Sequence, residues 1–313
     1  MFRLLSGIFM GWSLGANDSA NIFGTAVYSR MIKFKTALFW LCIFIILGSM
    51  LQGAAGMHTL SGLVVQNMNT AFITAFAAAL TVTVMTYYGL PVSTSQAMVG
   101  AIIGIGIVIG QVDYSKLPKV FACWVGTPIG CVIATIILYP LLGKVFSILK
   151  MNIFRQDSVL RAGLIIVGCY GAYSLGANNV ANVTGIYIET GLLNVTQALV
   201  LGSISICFGA ITYSRKVMMT VGEKLVRLDP FSAFIAVLSM SIILNIYAIV
   251  GVPVSSSQAI VGSVLGIGII KGVQTINLKT LVNIVIGWLT TPLIAMMVSM
   301  AIYIAAIKLL GIS

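Results

Sequence analysis

Charge is what this sequence has least of. Only 7% of its 313 residues are charged, and only six of them are acidic. There is one histidine, His58, so an acid–base enzyme would have to work without a histidine pair. The five cysteines, Cys42, Cys123, Cys131, Cys169 and Cys207, include no C-x-x-C pair. That spacing supports neither a soft-metal site nor a disulfide framework, and suits small packing residues. Period-2 alternation is also missing, which excludes the strands of a membrane barrel. The formal net charge of +11 is spread over the ends of apolar runs, without the aromatic-basic motif of a nucleic-acid binder.

What is present is apolar sequence, at 59% of the chain. Runs of about twenty apolar residues, each long enough to cross a bilayer as a helix, follow one another from end to end. A chain in lipid must satisfy its backbone internally, which leaves helices as the solution here. The expectation is an all-α polytopic membrane protein. Hydropathy marks five segments in each half: 4–28, 36–57, 70–89, 92–111 and 117–143, then 161–188, 193–213, 231–250, 254–271 and 279–310. The last segment of each half is longer than one span and is a candidate for a break. The N-terminal apolar run continues without a clear cleavage site, so it reads as the first span and not as a leader.

The halves match. GANDSAN begins at Gly15 and GANNVAN at Gly176, an offset of 161. GLPVSTSQAMVGAIIGIGI, residues 89–107, recurs as GVPVSSSQAIVGSVLGIGI, residues 251–269, with thirteen of nineteen positions identical. Trp124-Val-Gly-Thr-Pro128 matches Trp288-Leu-Thr-Thr-Pro292. Three landmarks in one order divide the chain into an N-terminal repeat, 1–150, and a C-terminal repeat, 151–313. An odd number of segments per half makes the second repeat inverted, with broken or re-entrant helices meeting at mid-membrane.

Two polar constellations lie inside the apolar runs. In the first, Asn17 and Asn21 share a helix face with Asp18 beside them, and Asn178, Asn179 and Asn182 echo them. Asp18 is the one acid deep in a span, and such acids are expensive enough to be functional as a rule. A lone amide there would more often bridge two helices. Amide and carboxylate oxygens are hard ligands, suited to Na⁺ or protons. In the second, Pro91 and Pro253 end a helix, and Ser93, Thr94, Ser95 and Ser255, Ser256, Ser257 open the next one. Free backbone N–H groups, hydroxyls and the helix dipole together make an anion site, although one such turn alone would serve as an ordinary cap. Gln96 and Gln258 follow, chemically able to serve anion or cation. The glycines after each turn, at 100/104 and 262/266, have the spacing of close helix packing. No lysine or arginine lies deep in a span. A multivalent anion beside Asp18 would meet repulsion on the order of several kcal/mol in low dielectric. A co-bound cation removes the conflict, so the residues themselves argue for symport.

With these motifs and Ser214-Arg-Lys-Val-Met-Met-Thr-Val-Gly-Glu-Lys224, the chain resembles the PiT family of inorganic phosphate transporters over nearly its whole length. The resemblance implies import of phosphate by cation symport through alternating access, with Na⁺ in preference to H⁺, often in a homodimer. It implies a coupling-cation site, written as Na⁺ at Asn17, Asp18, Asn21, Asn178 and Asn182, with Asn179 beside them. It places phosphate on Ser93, Thr94, Ser95, Ser255, Ser256 and Ser257, with Gln96 and Gln258 adjoining. No cofactor is implied beyond the coupling ion. Many members carry Asp in both G-A-N-D motifs, where this chain has Asn179, and the large hydrophilic insert of some members is missing. A sulfate permease of the same fold is the nearest alternative. A channel fits two closed cradles less well, and an intramembrane enzyme would need a second acid or a base.

Basic residues set the expected orientation in the cell membrane. Arg30, Lys33, Lys35, Lys144, Lys150, Arg155, Arg161, Arg215, Lys216, Lys224, Arg227, Lys271 and Lys279 fall on one side, and Arg3, Lys116, Lys119 and Lys308 on the other. The positive-inside rule then puts both termini outside. Cysteines introduced beside Lys35 and Arg155 should react with an impermeant thiol reagent only from the cytoplasmic face, and one beside Lys116 only from outside. Labelling of Lys35 and Lys116 neighbours from a single side would sink the inverted topology.

Overall fold

The computed structural model describes residues 2–88, 92–224, 228–272 and 278–310. Pro91 and Arg227 lie outside the described residues, as do the side chains of His58, Lys224 and Lys279. The described residues form thirteen α-helices and no strand. They are α1 (Leu5–Tyr28), α2 (Phe34–Gln52), α3 (Ala54–Ser61), α4 (Met68–Tyr87), α5 (Thr94–Ile109) and α6 (Leu117–Ile148), then α7 (Ile153–Asn179), α8 (Ala181–Thr184), α9 (Ile186–Glu189), α10 (Val195–Lys224), α11 (Pro230–Val250), α12 (Ser256–Lys271) and α13 (Leu278–Leu310). Seven of the described helices or helix runs are long and apolar enough to cross a membrane, while α5 and α12 are shorter apolar helices.

The expected segments are present with three differences. The second is divided at Gly53 into α2 and α3, and α3 packs against α8 and α9. The 161–188 segment ends as a regular helix at Asn179 and continues in the short turns α8 and α9. The long last segments are not broken: α6 runs through Pro128 and Pro140, and α13 through Pro292. Proline inside a membrane helix is tolerated where hydroxyl side chains and neighbouring helices rework the local bonds. Here the threonine before the proline donates back into its own helix, Thr127 to the Cys123 carbonyl (2.7 Å) and Thr291 to the Gly287 carbonyl (2.6 Å).

The packing repeats when the halves are exchanged. Helix α1 lies along α10, and its counterpart α7 lies along α2, the counterpart of α10. Likewise α5 packs on α13 and α12 on α6, while α4 and α11 each adjoin the first helix of their own half. Residue numbers rise together along α1 and α10, from Gly11 facing Ser205 to Gly24 facing Met218. They also rise together along α2 and α7, from the Met31 carbonyl, which accepts from Arg161, to Gly48 against Tyr173. Between α2 and α10 the order is opposite: Cys42 meets Cys207 and Gly53 meets Leu199. Helices α1 and α7 therefore run in opposite directions.

Small residues make these approaches possible. A methyl on Gly15 would overlap the Ile206 carbonyl oxygen, and one on Gly176 the Ile45 carbonyl oxygen, the equivalent contact in the other half. Gly209 against the Trp12 carbonyl and Gly48 against the Tyr173 carbonyl form a second matched pair. In lipid, where apolar faces gain little by meeting each other, this close van der Waals fit and polar contacts hold helices together. The outside is apolar, with Phe39, Val125, Ile166 and Leu289 exposed. Polar side chains are gathered inside, where Asp18, Ser95, Asn178, Asn179 and Asn182 are buried. All five cysteines are free thiols, and four of them are buried.

Gly209→Val should force α1 and α10 apart. Overpacking of this kind costs about 1–3 kcal/mol, to be read as a lowered Tm in detergent. Gly143→Ala, inside α6 and with its added methyl no closer than 3.9 Å to Phe231, should not lower Tm and should raise it slightly.

Candidate functional site

The site forms where the N-termini of α5 and α12 meet the middle of α1 and the end of α7. Ser93 caps α5, its hydroxyl accepting from the Gln96 N–H at 3.3 Å. Ser255 caps α12, accepting from the Gln258 N–H at 3.2 Å. The first serine of each turn thus fills the capping role, which leaves its own proton free to donate elsewhere. The two turns touch. The Ser95 hydroxyl reaches the Val254 carbonyl oxygen at 2.9 Å, joining one repeat to the other.

Asp18 is buried in this junction at 1% exposure. Its Oδ2 accepts from the Thr94 hydroxyl at 2.8 Å, and its Oδ1 accepts from the Asn17 amide at 2.9 Å. Thr94 is the first residue of α5, so the carboxylate faces the positive end of that helix. Asn17 is half-buried and its carbonyl oxygen accepts from the Thr86 hydroxyl at 3.3 Å. Asn21, one turn further along α1, donates across the halves to Ser256 at 3.0 Å and Ser257 at 3.1 Å.

The second copy repeats the last contact. Asn182 donates to Ser95 at 2.9 Å, the equivalent of Asn21 donating to Ser257. At the position matching Asp18, the Asn179 carbonyl oxygen accepts from Ser95 at 3.0 Å and from Asn182 at 2.9 Å. Among the described residues, two atoms here are buried without a partner, Asn179 Nδ2 and Asn182 Oδ1. Oε1 of Gln96 and of Gln258 are in the same condition. Buried polar atoms without partners are costly, and each needs an explanation.

Asn178 behaves differently from its counterpart Asn17. Its Oδ1 accepts from the Val254 N–H at 2.8 Å, and its Nδ2 donates to the Val252 and Leu244 carbonyls at 3.3 and 3.4 Å. Both of its polar atoms hold the extended 252–254 backbone, so the side chain fixes the shape of the second turn. Thr86 and the Val254 carbonyl were not foreseen as members of this site. Thr86 lies in no repeated motif, and Val254, though part of the repeated P-V-S turn, enters through its backbone carbonyl, which only the fold brings to Ser95.

The other positions expected from sequence lie here: Asn17, Asp18, Asn21, Asn179 and Asn182 beside Ser93, Thr94, Ser95, Ser255, Ser256 and Ser257, with Gln96 and Gln258 buried in the first turns of α5 and α12. The arrangement offers hydroxyls and two helix N-termini to an anion, and carboxylate and amide oxygens to a hard cation. The match of residues 14–299 to the phosphate transporter family model decides the family. The chain belongs to the phosphate transporter family. It is a multi-pass membrane protein and a transporter, not an enzyme. It is 30% identical to "Putative phosphate permease MJ0630" of Methanocaldococcus jannaschii, over 96% of this chain and 95% of that one. It is 27% identical to Sulfate permease CysP of Bacillus subtilis, over 95% of this chain and 85% of the relative. Among solved structures it is similar to one named "The sodium-dependent phosphate transporter". The two are 26% identical and superimpose with a TM-score of 0.87 over 99% of this chain and all of the other.

Ser95 is the polar hub between the repeats. Ser95→Ala should leave Asn179 and Asn182 short of a partner each and lower stability by about 1–3 kcal/mol. Chemical unfolding in detergent would measure this, and an unchanged midpoint would show that the hub carries no weight.

Proposed function

We propose that this chain imports inorganic phosphate by symport with a cation, Na⁺ in preference to H⁺, through alternating access. The observation that carries the reading is Asp18, a buried carboxylate hydrogen-bonded to the first residue of α5, where the second turn also converges. An oxyanion seated on Ser93, Thr94, Ser95, Ser255, Ser256 and Ser257, with Gln96 and Gln258 adjoining, would lie close to that negative charge. A cation held by Asn17, Asp18 and Asn21, with Asn179 and Asn182 in the mirror position, neutralises it and binds both. Each ligand then strengthens the binding of the other, which is the thermodynamic content of coupling. Asn178 serves this site by clamping the second turn.

Residues 1–150 and 151–313 act as two inverted repeats. The opposite courses of α1 and α7 and the exchange symmetry of the packing support this reading. Rocking of one repeat against the other would open the shared site to each side in turn. Half-burial of Asn17, against 1% exposure of Asn178, fits a state open toward the Asn17 side. We place the protein in the cell membrane with both termini outside, working as a homodimer. The structural neighbour is named as sodium-dependent, which supports Na⁺ as the coupling ion. Sulfate is the second reading, favoured by the likeness to Sulfate permease CysP and by the tetrahedral shape that the two anions share.

Purified protein in liposomes, given labelled phosphate under separately imposed Na⁺ and pH gradients, tests the proposal. Uptake should follow the Na⁺ gradient and resist excess sulfate. Uptake driven by the pH gradient alone would reassign the coupling ion, and full competition by sulfate would reassign the substrate. Asp18→Asn keeps the size and one oxygen but deletes the charge. Concentrative uptake should fall on the order of tenfold or more, the effect of losing about 1.4 kcal/mol of cation affinity. Equal accumulation by parent and variant would reduce Asp18 to a polar contact between helices. Asn179→Asp should raise the number of cations moved per phosphate, as read from the reversal potential.

A further inference from the structure

The repeated W-x-x-T-P motif has no part in the site described so far. It lies on α6 and α13, the helices packed along α12 and α5. Close backbone approaches fall at Gly262 against the Pro128 carbonyl and at Gly100 against the Pro292 carbonyl. Further on, Gly266 meets Val132 and Thr135, and Gly104 meets Met296 and Ser299, so each pair of helices runs parallel. One turn before the first contact, Gln258 comes level with Trp124, and Gln96 with Trp288. Residues four apart share a helix face. Each glutamine therefore lies on the face its helix turns to the tryptophan helix, and each tryptophan lies on the answering face.

The unpartnered atoms at this level are complementary. Among the described residues, Nε1 of Trp124 and of Trp288 is buried with no acceptor, and Oε1 of Gln258 and of Gln96 is buried with no donor. An indole N–H is a donor only, and an amide oxygen an acceptor only. A chance packing fault would not be expected to leave the same donor and the same acceptor at equivalent places in both repeats. The proline spacing adds to this. Pro128 and Pro292 have no N–H to give to the carbonyls of Trp124 and Trp288 four residues earlier, so the helix is locally freed from its usual bonding there.

We infer that Trp288 and Trp124 are positioning residues, each donating its indole N–H to Oε1 of Gln96 or Gln258 when the anion is bound. An amide turned one way offers an oxyanion a donor, and turned the other way a repelling oxygen. The tryptophan bond selects the first orientation by engaging Oε1, which leaves Nε2 for the anion. The inference rests on the proposed assignment of Gln96 and Gln258 to the anion.

Trp288→Phe keeps a ring in place and removes the donor. In proteoliposomes the KM for phosphate should rise about tenfold, the effect of one hydrogen bond, with the maximal rate little changed. In a Gln96→Ala background the same substitution should change KM by less than about twofold, because the two side chains act as one unit. A readout beyond transport is the indole N–H resonance of protein labelled at the tryptophan nitrogen. Sodium phosphate should move the Trp288 signal, and should leave that of Trp12, which already donates to Thr212 at 2.8 Å, in place. Additive effects on KM, or a Trp288 signal that ignores phosphate, overturn the positioning role. If Trp288→Phe does not fold, the cycle of Trp124→Phe with Gln258→Ala carries the same test in the other repeat. An unchanged phosphate KM in Gln96→Ala alone would instead sink the assignment of Gln96 to the anion, and the positioning role with it.

Discussion

A carboxylate held away from water at the end of a helix is the constraint that the rest of this structure serves. Asp18 sits at 1% exposure inside a protein whose surroundings are hydrocarbon. A charge there is tolerable only with good hydrogen bonds and a favourable field. Asn17 and Thr94 supply the bonds, and the N-terminus of α5 supplies the field. That helix must therefore begin in the interior and not at the membrane surface. Ser93, before it, is extended, and a second helix starts nearby to complete the polar chamber.

The chamber in turn sets the packing. Two short helices that start inside the protein cannot shield their own ends. The long continuous helices α6 and α13 lie along them, and small residues at Gly100 and Gly262 let backbone approach backbone. Polar groups collect inside while apolar side chains such as Val125 and Leu289 face outward, the reverse of what water would select. Hydrogen bonds between the two halves, from Asn21 to Ser256 and Ser257 and from Asn182 to Ser95, tie the chamber together. On the proposed reading, rocking of one half against the other would change access to a site divided in this way. The mirror position of Asp18 is the neutral Asn179, so the two halves of the chamber differ in charge as well as in the contacts of Asn17 and Asn178.

Much of this was legible in the residues. Apolar runs of bilayer length can only be helices in lipid, which settles the fold class. The paired motifs mark the halves, and one deep acid among amides and hydroxyls marks the chemistry. The reading went wrong where local sequence is ambiguous. Length beyond one span suggested breaks in α6 and α13, but Thr127 and Thr291 bond back into their helices beside the prolines and the chain runs on. Nothing in a run of apolar residues distinguished Gly53, where α2 gives way to α3, from the glycines that helices merely pack across.

What the sequence determined by itself are properties set by short-range physics: helices from hydropathy, helix starts at the hydroxyl turns after Pro91 and Pro253, and the repeat from matched motifs. What only the tertiary structure decided is which copy meets which. Asn21 finds its partners 235 residues away in the other repeat, while Asp18 bonds to Thr94 of its own. Asn17 and Asn178, alike in motif, separate into a half-buried group beside the carboxylate and a clamp on the 252–254 backbone. Such pairings depend on how helices cross, and crossing is governed by contacts between residues far apart in the chain. No local pattern records it, because the same amide serves equally well as ligand, bridge or clamp until its neighbours are in place.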